Sequence, residues 1–412
     1  MDSFRYVILG GGVVAGYAAK QLAQAGLASG ELCILSADNA PPCERPPLSK
    51  KFLAGQKEED SVYINEPDFY ARHGIDLRLN TIVRRVDLAG RRLGVDGQGA
   101  GGEVRFEKLL IATGARVRKL GVPGADLENI FYLRWLQDAK AIRAAYESSG
   151  RAVIVGGGYI GTEVAAVLKQ KGLDVTMVFP GRHLLERVFA PEIAAYFEEY
   201  YQQRGVKLLK GSKVARFAGS GRVASVVLES GENLPADMVV AGIGVDPATD
   251  LFEGASLRID DGIVVNEYLE TSVPGVYAAG DVARFNDLVA GRQRRVEHWD
   301  NAVCQGEHAA SLLAGRREAF RHLAYFFSDA FDLSWELWGD RREAEQVVYR
   351  GPIGGGRFSA WWLDREDRLV SAFVMNRPDE ERELAQKWIK EKTRLVPEAL
   401  REPSAPIASA GR

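Results

Sequence analysis

Cysteine is almost absent from this chain. Only Cys33, Cys43 and Cys304 occur in 412 residues, and none forms a C-x-x-C or C-x-x-x-x-C pair. That excludes a disulfide framework and points to a reducing compartment, so a cytoplasmic location is expected. It also removes a paired dithiol as a route for electrons. Histidine is scarce as well: five residues without ligand spacing, so no metal site is expected. No apolar run approaches the roughly 18 residues of a membrane span. The opening MDSFRYVILGGG enters a strand directly, without the basic and apolar segments of a signal peptide. Neither charge dominates, with 53 Lys+Arg against 56 Asp+Glu and a net charge of -3. No nucleic acid and no membrane is therefore called for as a partner.

What is present is glycine in a particular order. A chain of 412 residues exceeds one ordinary core and suggests two or three domains. Two segments, FRYVILGGGVVAGYAAKQLAQAGL and RAVIVGGGYIGTEVAAVLKQKGL, each read as strand, glycine turn and helix. Each runs on into a further apolar stretch, LCILS or DVTMVF, which completes a strand–helix–strand unit. The first fingerprint is Gly10-x-Gly12-x-x-Ala15 and the second Gly156-x-Gly158-x-x-Gly161, with Tyr159 and Ile160 inside it. The first glycine of such a set permits the tight turn, the second lets backbone approach a pyrophosphate, and the third small residue packs helix on strand. The helix N-terminus then offers free N–H groups to phosphate. Two fingerprints imply two dinucleotides.

The expected fold is α/β, with two Rossmann-like dinucleotide-binding domains and a C-terminal α+β interface domain. A discontinuous first domain is expected over 1–113 and 248–320, the second over 114–247, the C-terminal domain over 321–402 and a flexible Pro/Ser/Ala/Gly-rich tail over 403–412. Alternation in RFSAWWLD and LVSAFVMN predicts antiparallel strands. DEERELAQKWIKEK predicts a closing helix with Asp379 as N-cap, and GVDGQGAGGE a hairpin loop.

Two further segments complete the pattern: ATGARVRKL from Ala112 and TSVPGVYAAGDVA from Thr271. In this order the four elements resemble the pyridine nucleotide–disulfide oxidoreductase superfamily over about the first 320 residues. The resemblance implies FAD on the first fingerprint and NADH or NADPH on the second. It implies that Ala112, Thr113, Gly114 and Arg118 lie at the crossover beside FAD, and that Asp281 bonds the ribitol, a carboxylate being a strong acceptor for hydroxyls. Gly244, in the matching turn DMVVAGIGVDPATD, falls on the nicotinamide side.

The missing dithiol narrows the branch. PPCERPPLSKKFL and RRVEHWDNAVCQG are similar to the ferredoxin reductase, apoptosis-inducing factor and monodehydroascorbate reductase branch. That similarity places Arg45 and Lys50 along the flavin, Glu297 near the nicotinamide, and Trp299 over the reacting rings; Lys50, Glu297 and Trp299 are the expected catalytic residues. Glu163 joins the nicotinamide side. Cys43 stands where the branch commonly has Tyr and reads as packing. The strand DVTMVF ends at Phe179 rather than at an acid, and Arg182 follows closely, which leans toward acceptance of a 2′-phosphate and so of NADPH.

The C-terminal YFFSDAFDLSWELWGD is most similar to monodehydroascorbate reductases. Those enzymes hold ascorbate with an Arg and a Tyr at positions that here are Val303 and Phe327. A charged enediol radical needs a cation or a hydroxyl donor. The expected acceptor is therefore a ferredoxin-type iron–sulfur protein, with monodehydroascorbate, a small-molecule radical, as the alternative. A slow-turnover signalling flavoprotein like apoptosis-inducing factor is a third reading. Arg-rich GRQRRVEH offers either a docking patch for an acidic partner or a solvated loop.

Overall fold

A computed structural model describes residues Asp2–Asp96 and Gly102–Gly411. They divide into two compact units. The first comprises residues up to Arg45, Glu59–Arg116 and Asp246–Tyr325; the second comprises Pro46–Glu58, Val117–Val245 and the chain from Phe326 onward. The α/β class expected from the sequence is the class found.

In the first unit, the Asp2–Leu9 strand lies between Leu32–Leu35 and Gly102–Ile111, parallel to both, with Val7 opposite Cys33 on one side and Leu109 on the other. Tyr6 to Leu9 and Leu32 to Leu35 are buried without interruption. Such unbroken apolar runs are what parallel strands need when both faces are covered. Each large aliphatic side chain so buried contributes about 1.5–3 kcal/mol. Asp76–Arg78 extends one edge, and an antiparallel pair, Arg92–Asp96 and Ile82–Asp87, extends the other. Val276–Ala278 pairs in parallel with the far end of Gly102–Ile111.

Glycine lets the helices of this unit meet closely. The Val13–Gln24 helix buries Val14, Ala15, Ala18, Ala19 and Leu22, a stripe of helical period. The Trp299–Leu313 helix crosses it at Gly306, where a Cβ would stand 2.8 Å from the Val14 carbonyl oxygen. Only a residue without a side chain allows that approach.

The second unit repeats the plan. Arg151–Val155 runs parallel between Asp174–Phe179 and Met238–Ala241, with Lys207–Lys210 and Ile130–Phe131 outside them. A three-stranded antiparallel sheet, Val214–Ser220, Arg222–Leu228 and Asn233–Pro235, packs Phe217, Val223 and Val226 against Val153 and Val178. The C-terminal sheet has the order Tyr325–Ala330, Leu333–Gly339, Leu369–Met375, Phe358–Leu363, Gln346–Arg350, with the last four antiparallel, among them the two strands of RFSAWWLD and LVSAFVMN expected to be so. Its aromatics meet the Pro191–Gln203 helix and the residues just before it: Phe197 lies 4.7 Å from Trp335 and Phe189 5.1 Å from Phe373, centroid to centroid.

Three local expectations change. Residues 46–58, expected within the first domain, cluster with the second unit, where the Tyr146 hydroxyl donates to the Leu53 carbonyl at 3.0 Å. Asp379 is not the N-cap; Pro378 occupies that position, and the Asp379 carboxylate accepts from Arg382 instead. The segment 403–412 does not fray through its described part. Ile407 and Ala410 are buried, Val396 N–H donates to the Ala410 carbonyl, and the buried Arg350 guanidinium donates to the carbonyls of Leu400, Glu402, Pro403 and Ala405. A cation taken out of water needs those acceptors, which outweighs the Pro/Ser composition. The expected hairpin has its two strands, with Leu93 opposite Val104, but residues 97–101 of its turn lie outside the described residues. Among the described residues no helix is long and apolar enough to cross a membrane.

Candidate functional site

Each unit carries half of the candidate machinery. In the first, Gly10 has φ +122, and a Cβ there would lie 2.2 Å from the Ala112 carbonyl oxygen. The turn thus requires glycine, and it seats Ala112 and Thr113 against the fingerprint. Thr113 Oγ1 donates to the Ala248 carbonyl, and Gly114 accepts from Ala248 N–H. Gly12 caps the Val13–Gln24 helix without a side-chain hydrogen bond, so the first-turn N–H groups are available to an anion. A Cβ on Gly12 would meet only Arg45, at 3.9 Å, while Ala15 is fully buried against the sheet.

Asp281 lies in the Gly280–Val282 turn, held by Gly280 N–H donating to Gln305 Oε1 at 2.7 Å. The Gln305 Nε2 is buried with no hydrogen-bond partner among the described residues. A buried amide N–H without an acceptor is costly, and a bound polar ligand would supply one.

Trp299 opens the Trp299–Leu313 helix, and its Nε1 donates to the Glu44 carboxylate, which also accepts from the Tyr17 hydroxyl at 2.7 Å. Burial, then the Glu44 bond, raises the Tyr17 phenol above its ordinary range. Glu297 is exposed and paired with Arg295. Arg295 also reaches Asp261, and Arg294 pairs with the buried Asp287 at 2.6 Å. These two arginines are 11% and 10% exposed. Arg294 and Arg295 of the Arg-rich run are thus engaged in internal ion pairs. Val303 is half-buried on the same helix.

In the second unit the same turn recurs. Gly156 has φ +122 and a Cβ there would lie 2.2 Å from the Gly242 carbonyl oxygen; one on Gly161 would lie 2.2 Å from that of Gly156. Gly158 has nothing within 4 Å of such a position and caps the Tyr159–Gln170 helix without a side-chain bond. Ile160, 38% exposed beside it, is an apolar surface a ligand could cover. Burial raises the Tyr159 phenol. Gly244 has φ +108, with Arg118 packed over it and Arg118 N–H donating to its carbonyl. Arg118, expected beside FAD, clusters with this unit.

Glu163 is 5% exposed in the third position after Ile160, and an isolated buried carboxylate is costly. Three groups compensate it. Lys50 Nζ stands 3.0 Å away, Ser328 Oγ donates at 2.5 Å, and Ser49 Oγ also donates. Lys50 Nζ in turn lies 5.0 Å from the centre of the Phe327 ring, a cation–π distance. At the end of the Asp174–Phe179 strand, Arg182 is exposed and its N–H donates to Glu186 at 2.9 Å.

The expected residues thus gather in two sets. Gly10, Gly12, Ala15, Arg45, Ala112, Thr113, Gly114, Asp281, Glu297 and Trp299 fall in the first unit, and Lys50, Arg118, Gly156, Gly158, Tyr159, Ile160, Gly161, Glu163, Arg182 and Gly244 in the second. Glu44, Ser49, Gln305 and Ser328 escaped sequence reading. No spacing links any of them to its partner, since Ser328 and Glu163 are 165 residues apart. Asp300, Cys304 and His322 also come together, although no metal site was expected. The Asp300–Cys304 spacing of one helical turn was a visible signal; the approach of His322 was not.

Both glycine turns fit a dinucleotide: each has an open face at its second glycine, an uncapped helix start behind it and a steric demand for glycine at its first. The comparisons agree. Residues 4–306 match the family described as pyridine nucleotide-disulphide oxidoreductase, and residues 325–410 match the reductase C-terminal family. Monodehydroascorbate reductase 4, peroxisomal, of Arabidopsis thaliana is 41% identical over 93% of this chain and 82% of its own. The monodehydroascorbate reductase of Solanum lycopersicum is 39% identical over 92% of each. Among solved structures, a chain of the covalent putidaredoxin reductase–putidaredoxin complex superposes with TM-score 0.93 at 33% identity over 99% of both chains. The ferredoxin reductase of Rhodopseudomonas palustris superposes with TM-score 0.92 at 31% identity over 100% of both. With two dinucleotide cradles and no redox dithiol, the chain belongs to the pyridine nucleotide-disulphide oxidoreductase family and is a flavin-dependent NAD(P)H oxidoreductase.

Proposed function

We propose that the chain passes electrons from NAD(P)H through FAD to a small ferredoxin-type iron–sulfur protein. The reading is carried by two positions of the sequence: Val303 and Phe327 are apolar where the resemblance to monodehydroascorbate reductases implies an Arg and a Tyr, and a radical enediol calls for a cation or a hydroxyl. FAD, when bound, supplies the hydride-accepting and electron-releasing chemistry. The chain's own part is positioning and charge. The Val13–Gln24 helix start and Arg45 would hold the FAD pyrophosphate, and Asp281 would take ribitol hydroxyls. The Tyr159–Gln170 helix start would hold the nicotinamide dinucleotide. Lys50, held by Glu163, would supply a cation to oppose negative charge on a bound, reduced flavin.

Monodehydroascorbate is the second reading, favoured by the relatives of that name at 38–41% identity. Pre-reduced holoenzyme mixed in a stopped-flow instrument with a ferredoxin, with enzymatically generated monodehydroascorbate and with oxygen separates the two. Reoxidation by the ferredoxin at least tenfold faster than by the others supports the first; the reverse order replaces it with the second. For the coenzyme, the reading is that NADPH is accepted comparably with NADH. Phe179 and Pro180 offer a ribose no carboxylate, Arg182 is exposed, and the Glu186 carboxylate is engaged by the N–H groups of Arg182 and His183.

A further inference from the structure

One group of side chains in the first unit brings together ligand chemistry that lies outside the residues assigned above to the two dinucleotides. Asp300 and Cys304 stand one turn apart on the Trp299–Leu313 helix, a spacing that puts them on one face. His322 reaches them from the segment after that helix, with its Nε2 2.5 Å from Asp300 Oδ2. The Asp300 oxygen, the Cys304 sulfur and the His322 nitrogen all lie within 4.8 Å of one another. The three are partly exposed, with 23% of the His322 side chain and 18% of the Asp300 side chain accessible. They are therefore held by the fold yet open to solvent.

We propose that Asp300, Cys304 and His322 form a three-ligand site for a zinc-class divalent cation, with a fourth position open to water. The donor set decides the class of ion. A thiolate sulfur disfavours magnesium and calcium, which take oxygen ligands. Sulfur, imidazole nitrogen and carboxylate oxygen together suit zinc, at roughly 2.3, 2.0 and 2.1 Å respectively. Tetrahedral ligand atoms at those bond lengths stand roughly 3–4 Å apart. The Asp300–His322 pair would open by less than an ångström as the cation replaces the shared proton, and the cysteine sulfur is already within reach. The ion would tie the first two turns of the helix that carries Trp299 and Val303 to the segment before Tyr325. It would thereby stiffen the start of the helix on which Val303 sits.

The test uses the FAD-loaded protein, stripped of metal and titrated with cobalt(II) and then zinc. The expected result is one cobalt per chain. It should show tetrahedral bands at wavelengths longer than oxidised flavin absorbs and a sulfur-to-cobalt charge-transfer band, and zinc, the tighter binder, should remove both. Cys304→Ser is expected to abolish the charge-transfer band, and Cys304→Ser and His322→Gln each to weaken binding about tenfold or more. His73→Gln, an exposed histidine elsewhere, is expected to leave binding unchanged. Retention of flavin absorption shows that each variant has folded. Absence of saturable uptake, an octahedral spectrum without charge transfer, or binding undiminished in Cys304→Ser would each overturn the proposal.

Discussion

Lys50 Nζ stands 3.0 Å from Glu163 Oε1, and 13% and 6% of the two side chains are exposed. Removing one partner from a buried pair costs about 3–5 kcal/mol, because the other charge is stranded. Glu163→Ala is therefore expected to lower the unfolding midpoint sharply. Glu163→Gln, which keeps the hydroxyl contacts, should lower it less. Lys50→Met should retain FAD and slow flavin bleaching by NAD(P)H tenfold or more. Thermal melts and rapid-mixing absorbance check both; a Lys50→Met enzyme reduced at the wild-type rate would remove Lys50 from the reaction.

The two glycine turns are geometrically alike, so matched substitutions should separate their ligands. Gly10→Ala drives a Cβ into the Ala112 carbonyl, and Gly156→Ala into the Gly242 carbonyl. The first is expected to yield protein without flavin. The second should keep its flavin but raise KM for NAD(P)H at least tenfold. Flavin content after gel filtration and steady-state kinetics are the measurements. Equal flavin loss in both would mean that the assignment of FAD to the first turn is wrong.

Arg182 bears on coenzyme choice. Arg182→Glu should lower kcat/KM for NADPH tenfold or more while changing that for NADH less than threefold. An unchanged NADPH/NADH ratio would show that the guanidinium points away from the ribose.

Acid stability has a local contribution at Asp237. The Arg151 guanidinium holds its carboxyl below the ordinary carboxylate range; partial burial opposes, and the N–H groups of Arg151 and Gly150 assist. A depressed folded pKa means the stabilisation is present above the ordinary value near 3.8 and is lost as pH falls through the folded value. Asp237→Asn should be less stable than wild type at pH 7, and the gap should narrow toward pH 3 in urea melts. A gap independent of pH would contradict this.

Much of the scaffold was legible because it rests on local signals. Buried strands such as FRYVIL, the glycines at 10 and 156 and the alternation in RFSAWWLD and LVSAFVMN are each set by neighbours in sequence. The pairings within the candidate site were less so. Lys50 and Glu163 were each identified by motif, but their contact depends on where residues 46–58 pack. Glu44 was invisible because its meaning comes from Trp299, 255 positions away. The tail misled because composition speaks for solvation, whereas a single buried guanidinium demanded its carbonyls.

That guanidinium has a practical consequence for anyone handling the protein. A variant shortened to end before Glu402 would remove three of the four carbonyl acceptors that Arg350 donates to, leaving Glu381 and Leu400 to hold it. The stretch from Glu402 to Ala410 is thus a structural support for a buried cation, and Ile407 and Ala410 are themselves buried.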